Sequence, residues 1–196
     1  DLFHADDPGA RRRGSDVGWE LLPTNRLQHE RGPHLRAEIK MKETVLDVLV
    51  YLFENYFHGA PDTVHDRDSL QSELMDAGFD PHQIGKAFDW LLVLQTDRAA
   101  MVPVPSRGPV RIYAQEETDR LDTECLGFLM RLESFGVLDS GSRERVLERA
   151  WALEQAQIEL EDLKWVVLLV LFNEPGREAE FAWMETQVLG AHLRTN

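Results

Sequence analysis

The chain has 196 residues, of which 43% are hydrophobic and 29% charged, a composition typical of a globular fold. Its 21 basic and 35 acidic residues give a net charge of −14, which disfavours binding to nucleic-acid phosphates or anionic lipid over most of the surface. The single cysteine, Cys125, excludes an internal disulfide, and no stretch reaches the ~20 apolar residues that a membrane-spanning helix needs.

The first forty residues mix Gly, Pro, Arg and His without helical or strand periodicity. Residues 1–40 are therefore predicted to be a disordered or non-native N-terminal extension placed before a start at Met41. Arg11–Arg13 leave a nucleic-acid-binding arm open as the alternative. Residues 1–40 hold seven basic and seven acidic residues, so the whole net charge of −14 belongs to residues 41–196. No secretory signal is recognised, because a charged start followed by an apolar run is missing, and a cytoplasmic location is predicted.

Two helices are predicted directly after this extension. Apolar residues recur at three- and four-residue steps over residues 45–56, which predicts a first helix. Asp66 or Asp68 is suited to cap a second helix, which is predicted to end at Gly78.

A third helix, Pro81–Leu94, is predicted to begin after an Asp80 cap and to be followed by a β-hairpin. Two β-prone runs, Met101–Val104 and Val110–Tyr113, flank a Pro-Ser-Arg-Gly-Pro turn. Three helices followed by a hairpin are the order of a winged helix-turn-helix, in which the third helix is the recognition helix and the hairpin is the wing. The predicted buried stripe of the third helix consists of Ile84, Ala87, Phe88, Leu91 and Leu92.

The remainder of the chain is predicted to be helical. One long helix, Gln115–Phe135, is expected to end at Gly136. Ser142 is suited to cap the next helix, and Glu159–Asn173 and Arg177–Leu189 have the pattern of two more.

The helix over Glu159–Asn173 contains an unbroken apolar block, Trp165–Phe172, which is too short for a membrane span. A helix that is apolar all round is buried all round, so it is predicted to lie in the middle of a bundle. Glu159, Glu161 and Asp162 in its first turn are explained by the helix dipole, with a metal or acid–base site as the alternative. The predicted structural core is represented by Trp90, Phe128, Trp165, Leu168 and Phe172.

The predicted fold is thus mainly α. Residues 41–114 would form a winged-helix-like N-terminal unit of three helices and a short β-hairpin. Residues 115–196 would form a C-terminal helical bundle packed beside it.

No catalytic residue, metal site or cofactor is predicted. Cys125 falls on an apolar stripe, where a free cysteine behaves as a small hydrophobic residue. The histidines after residue 41 have no metal-binding spacing, and phosphate-binding glycine motifs do not occur. An enzyme whose site is built from residues distant in sequence stays open as a further alternative.

Four segments resemble the Smg protein family, a domain of unknown function in bacterial proteins. They are "VLDVLVYLFENYF", "LQSELMDAGFDPHQIGKAFDWL", "VRIYAQEETDRLDTECLGFLMRLESFGVL" and "IELEDLKWVVLLVLFNEPG". The resemblance runs in the same order from Met41 nearly to the C-terminus. Family members usually have Thr or Ser after the "RIY", where this chain has Ala114. The resemblance implies no established activity or cofactor, and genes of the family often lie near one for a DNA-processing protein.

The most favoured function is a non-enzymatic protein-interaction or regulatory module whose partner is another protein. The alternative is a nucleic-acid-binding regulator or DNA-processing accessory that uses the winged-helix surface. The candidate contacts for either partner are His82, Gln83, Lys86, Arg98, Arg107 and Arg111. No membrane partner is predicted, and the sequence does not predict an oligomeric state.

Overall fold

A computed structural model describes residues 44–57, 66–98 and 111–192. This part of the chain contains eight α-helices, and a π-helical turn, Phe53–Phe57, continues the first of them. The helices are α1 (Val45–Leu52), α2 (Arg67–Asp76), α3 (Pro81–Arg98), α4 (Gln115–Arg120), α5 (Thr123–Ser134), α6 (Ser140–Trp151), α7 (Leu160–Asn173) and α8 (Glu178–His192). The prediction for residues 1–40 lies outside the described residues.

Aspartate side chains cap the starts of α2, α5 and α6. The Asp66 carboxylate accepts a hydrogen bond from the Ser69 N–H at 2.7 Å, so Asp66 is the cap of α2. Gly78 follows α2 with φ +91°, a left-handed conformation that other residues rarely adopt. The predicted cap of α6 is wrong, because Asp139 caps this helix and Ser142 donates its N–H to the Asp139 carboxylate at 2.8 Å.

The predicted winged-helix unit is also wrong. The described residues contain no strand, and Arg111–Tyr113, the described end of the second β-prone run, does not pair with another described segment. Residues 101–110, which include the rest of the hairpin, lie outside the described residues. Arg111 binds carboxylates of two helices and Tyr113 packs against the core. Side-chain contacts thus hold this segment, for which the prediction had main-chain hydrogen bonds of a hairpin. The mainly helical part of the prediction is confirmed.

A second correction concerns the helix predicted over Gln115–Phe135, which is divided into α4 and α5. Leu121, at the break, has extended backbone angles, φ −111° and ψ 118°, and forms an isolated parallel bridge with Ile158. Its side chain is 1% exposed. The Asp122 carboxylate then accepts from the Cys125 N–H at 2.8 Å and begins α5 as a new helix.

The apolar helix α7 lies at the centre of the molecule. Every residue from Trp165 to Leu171 is at most 6% exposed, and α7 contacts α3, α5, α6 and α8. Trp90, Phe128 and Leu168 are likewise buried, whereas Phe172 is half-buried. No helix in the described part of the chain has both the length and the apolar character needed to cross a membrane.

Aromatic contacts join the first helices to the C-terminal ones. The Phe53 ring meets Trp165 and Phe172 edge-on, with ring centroids 5.8 and 5.6 Å apart. Phe172 in turn lies 5.4 Å from Phe181 of α8. Helices from both sides of residue 114 therefore contribute to one hydrophobic cluster. The domain boundary at that residue stays a prediction.

Candidate interaction surface

The first turn of α3 carries two of the predicted contact residues. The Asp80 carboxylate accepts hydrogen bonds from the main-chain N–H groups of His82, at 2.8 Å, and Gln83, at 3.3 Å. His82 is exposed and Gln83 is half-buried. Asp80 therefore caps α3 and fixes the residue at which the helix begins.

The third predicted residue on α3, Lys86, binds a carboxylate of its own chain. Its ammonium group donates to Glu154, in the turn after α6. The hydrogen bond from Lys86, together with its positive charge, holds the pKa of the Glu154 carboxyl below its usual value. The positive charge of Lys86 is thus already paired with a carboxylate.

Arg111 is still more fully engaged. Its guanidinium donates two 2.7 Å hydrogen bonds to the Glu117 carboxylate of α4 and bonds of 2.8 and 3.0 Å to Glu144 of α6. The hydrogen bond to Glu117 raises the pKa of Arg111, and the same bond lowers the pKa of Glu117. Such two-pronged charge-assisted bonds are geometrically specific. Arg111 therefore anchors the segment before α4 to the bundle.

The structure describes the side chains of four of the six predicted contacts. Lys86 binds Glu154, which follows α6, whereas Arg111 binds Glu144, near the start of that helix. Arg98 ends α3, but the structure does not describe its side chain, and Arg107 lies outside the described residues.

The outward face of α3 has an apolar part that the sequence reasoning missed. Leu92 is 42% exposed and Val93 is 38% exposed. Leu92 was predicted to be buried, and this prediction is wrong because Trp90, Leu91 and Leu94 occupy the core-facing positions around it. Because residues 91–94 are all apolar, the three- and four-residue spacing of a helix does not show which of them face outward.

The other side chains that could act in catalysis or metal binding have structural contacts instead. Cys125 is fully buried and donates to the Ile158 carbonyl at 3.4 Å, and burial raises its pKa to about 12, so it remains a thiol. Glu161, in the acidic first turn of α7, pairs with Lys164 at 2.5 Å. Within the described ranges, no three His, Cys, Asp or Glu side chains are grouped so that they could hold a metal ion.

Comparison with known proteins places this helical architecture in a family. Residues 45–195 match the family described as "Protein of unknown function (DUF494)". Proteins named Smg homologue from Stenotrophomonas maltophilia, Xanthomonas oryzae pv. oryzae and Xanthomonas campestris pv. campestris are each 57% identical over 148 residues, covering 76% of this chain and 94% of theirs. No solved structure matches the chain. Because the match extends over most of both sequences, the chain belongs to the Smg family, whose function is unknown.

Proposed function

We propose that this chain is a cytoplasmic, non-enzymatic module that binds another protein through the outward face of α3. The observation that carries the proposal is the exposure of Leu92 and Val93, at 42% and 38%, on a helix whose own lysine is ion-paired. Such a face offers apolar area to a protein partner and little free positive charge to a phosphate backbone.

Energetics support the same choice. Covering one large aliphatic side chain completely stabilises a complex by about 1.5–3 kcal/mol, so covering the exposed parts of this pair supplies roughly 2 kcal/mol. For the nucleic-acid alternative, Lys86 and Arg111 would have to leave Glu154 and Glu117 before they could bind phosphates. The net charge of −14 opposes the same step.

A photo-crosslinking amino acid at Val93, introduced into the full chain in bacterial cells, tests the proposal. We expect one discrete protein adduct that survives nuclease treatment and is lost when Leu92→Asp is added. A crosslinker at Thr186, exposed on α8, is the matched control and should not give the same adduct. Met75→Asp, a substitution of another exposed apolar residue, should leave the adduct intact.

Two outcomes would contradict the proposal. An adduct that disappears with nuclease would favour the nucleic-acid alternative. A protein adduct that is unchanged by Leu92→Asp would show that the apolar face of α3 does not bind the partner. Thermal unfolding of each variant verifies that the fold is retained.

A further inference from the structure

The two most exposed large apolar side chains in the described part of the molecule are not on α3. Ile112 is 91% exposed and Phe135 is 71% exposed. Ile112 lies in the segment Arg111–Ala114, which leads into α4, and Phe135 is the C-terminal cap residue of α5. A partner that covered these two side chains would remove a large apolar area from water, which favours binding.

Alternate side chains hold Arg111–Ala114 in an extended form. The Arg111 guanidinium lies 4.8 Å from the centre of the Tyr113 ring, so residues two apart share one side, as in a β-strand. Both side chains turn toward the protein, while the one between them, Ile112, faces solvent. Ala114 continues the extended conformation with φ −71° and ψ 161°.

The main chain of Ile112 and Tyr113 has no main-chain partner among the described residues. Ala114 is different, because its N–H donates to the Glu117 carboxylate at 2.7 Å. An extended backbone with unpaired donors and acceptors is completed by another extended backbone, which is how peptides add to the edges of sheets.

Ion pairs connect this segment to the end of α5. Arg111 binds Glu144 at 2.8 Å, Glu144 binds Arg143 at 2.8 Å, and Arg143 binds Glu133 at 2.5 Å, two residues before Phe135. This chain of ion pairs runs from the segment Arg111–Ala114 to Glu133, near the end of α5. With Glu117, it has three carboxylates and two guanidinium groups, an excess of one negative charge.

We propose that Arg111–Ala114 and Phe135 form a docking edge that binds an extended segment of a partner protein by strand addition. The partner segment pairs its main chain with Ile112, covers Ile112 and Phe135 with apolar side chains, and carries a lysine or arginine opposite the carboxylates. The inference rests on the proposed function in one respect, that the chain binds proteins. It concerns a different surface from α3.

A phage-displayed library of random twelve-residue peptides, selected on the full chain, is the probe. We expect the selected sequences to alternate apolar residues and to contain Lys or Arg. Ile112→Pro removes one main-chain donor and replaces a large apolar side chain with a smaller ring at an exposed position, and it should weaken these peptides at least about tenfold. Phe135→Ser should weaken them severalfold, whereas Met130→Ser, at a 56% exposed residue of α5, should have no effect.

A second measurement tests the main-chain bonds without altering the protein. Peptides N-methylated at alternate residues should lose affinity in one register and keep it in the other, because only every second amide of an added strand faces the edge. The proposal is overturned if no peptide is selected, if the peptides bind the Ile112→Pro variant equally well, or if they bind as helices. None of these results depends on the Val93 crosslink, so this proposal and that for α3 can fail separately.

Discussion

Ala114 occupies the N-cap of α4 with φ −71° and ψ 161°, angles suited to a capping side chain that alanine does not have. The other half of the motif is present, since the Glu117 carboxylate accepts from the Ala114 N–H at 2.7 Å. Ala114→Ser should therefore stabilise the protein by about 0.5–1 kcal/mol, which raises the melting temperature by roughly 1–4 °C. Ala156→Ser, in the exposed turn between α6 and α7, is the control and should change the melting temperature very little. No gain at Ala114 would mean that the first turn of α4 frays in the native state.

Glu117 gives the same helix start a pH dependence. Its folded-state pKa is lowered, chiefly by the hydrogen bond from Arg111, so its contribution to stability is present above the unfolded value and is lost as the pH falls through the folded one. Glu117→Gln should cost about 1 kcal/mol at neutral pH, because Glu144 still binds Arg111 after the change. Urea unfolding should show this difference shrinking below a pH of about 4. Glu116→Gln, at the exposed neighbouring residue, should leave a much smaller difference at every pH.

At the scale of elements, α7 and α8 provide two tryptophans in different surroundings. Trp165 is 6% exposed and packs on Phe53, whereas Trp183 is 40% exposed on α8. Trp165→Ala should cost roughly 3–5 kcal/mol, because it removes a large buried side chain from the centre of the core. Trp183→Ala should cost well under half of that. Urea midpoints of the two variants make the comparison, and equal losses would show that α7 is not the helix on which the others depend.

The elements also show how far the sequence can be read. The starts of α2 and α3 were predictable because Asp66 and Asp80 act within three residues of their own position. The break between α4 and α5 was not, because it depends on Leu121 pairing with Ile158, a distant residue. Capping preferences depend on neighbouring residues and can be recognised in a sequence. A helix break that depends on contact with a distant segment cannot be recognised in this way.

The candidate site was predictable to a smaller extent. The helix that carries His82 and Lys86 was predicted, whereas the ion pairs that its lysine and Arg111 form were not. Glu154 is 68 positions from Lys86, and Glu144 is 33 positions from Arg111. A count of basic residues treats each lysine and arginine as free to bind a phosphate, whereas the fold determines which of them form ion pairs within the chain. The exposure of Ile112 could not be predicted either. The apolar pattern of Val110–Tyr113 indicates a strand, but it does not say which side chains other parts of the chain will cover.

At the scale of the whole molecule, the contacts between the first three helices and the C-terminal helices determine whether the two parts unfold together. The Trp90 indole N–H donates to the Arg149 carbonyl at 2.8 Å, and the buried Arg149 guanidinium lies 5.8 Å from the Trp90 ring. In addition, Phe53 of the π-helical turn packs against Trp165 of α7, so residues from both sides of residue 114 are buried in one hydrophobic cluster. Separation of a unit that ends at residue 114 would break the Trp90 hydrogen bond and would expose the Trp90, Phe53 and Trp165 rings to water, which costs free energy.

Thermal unfolding should therefore occur in one cooperative step, with equal calorimetric and van't Hoff enthalpies. Trp90→Phe keeps most of the apolar contact and removes the hydrogen-bond donor, so it should lower the melting temperature by a few degrees without splitting the transition. Val93→Ala, on the exposed side of the same helix, is the control and should shift it much less. Two resolved transitions in the unaltered chain would instead support a domain boundary near residue 114, with α1–α3 able to melt while α7 remains covered by α5, α6 and α8.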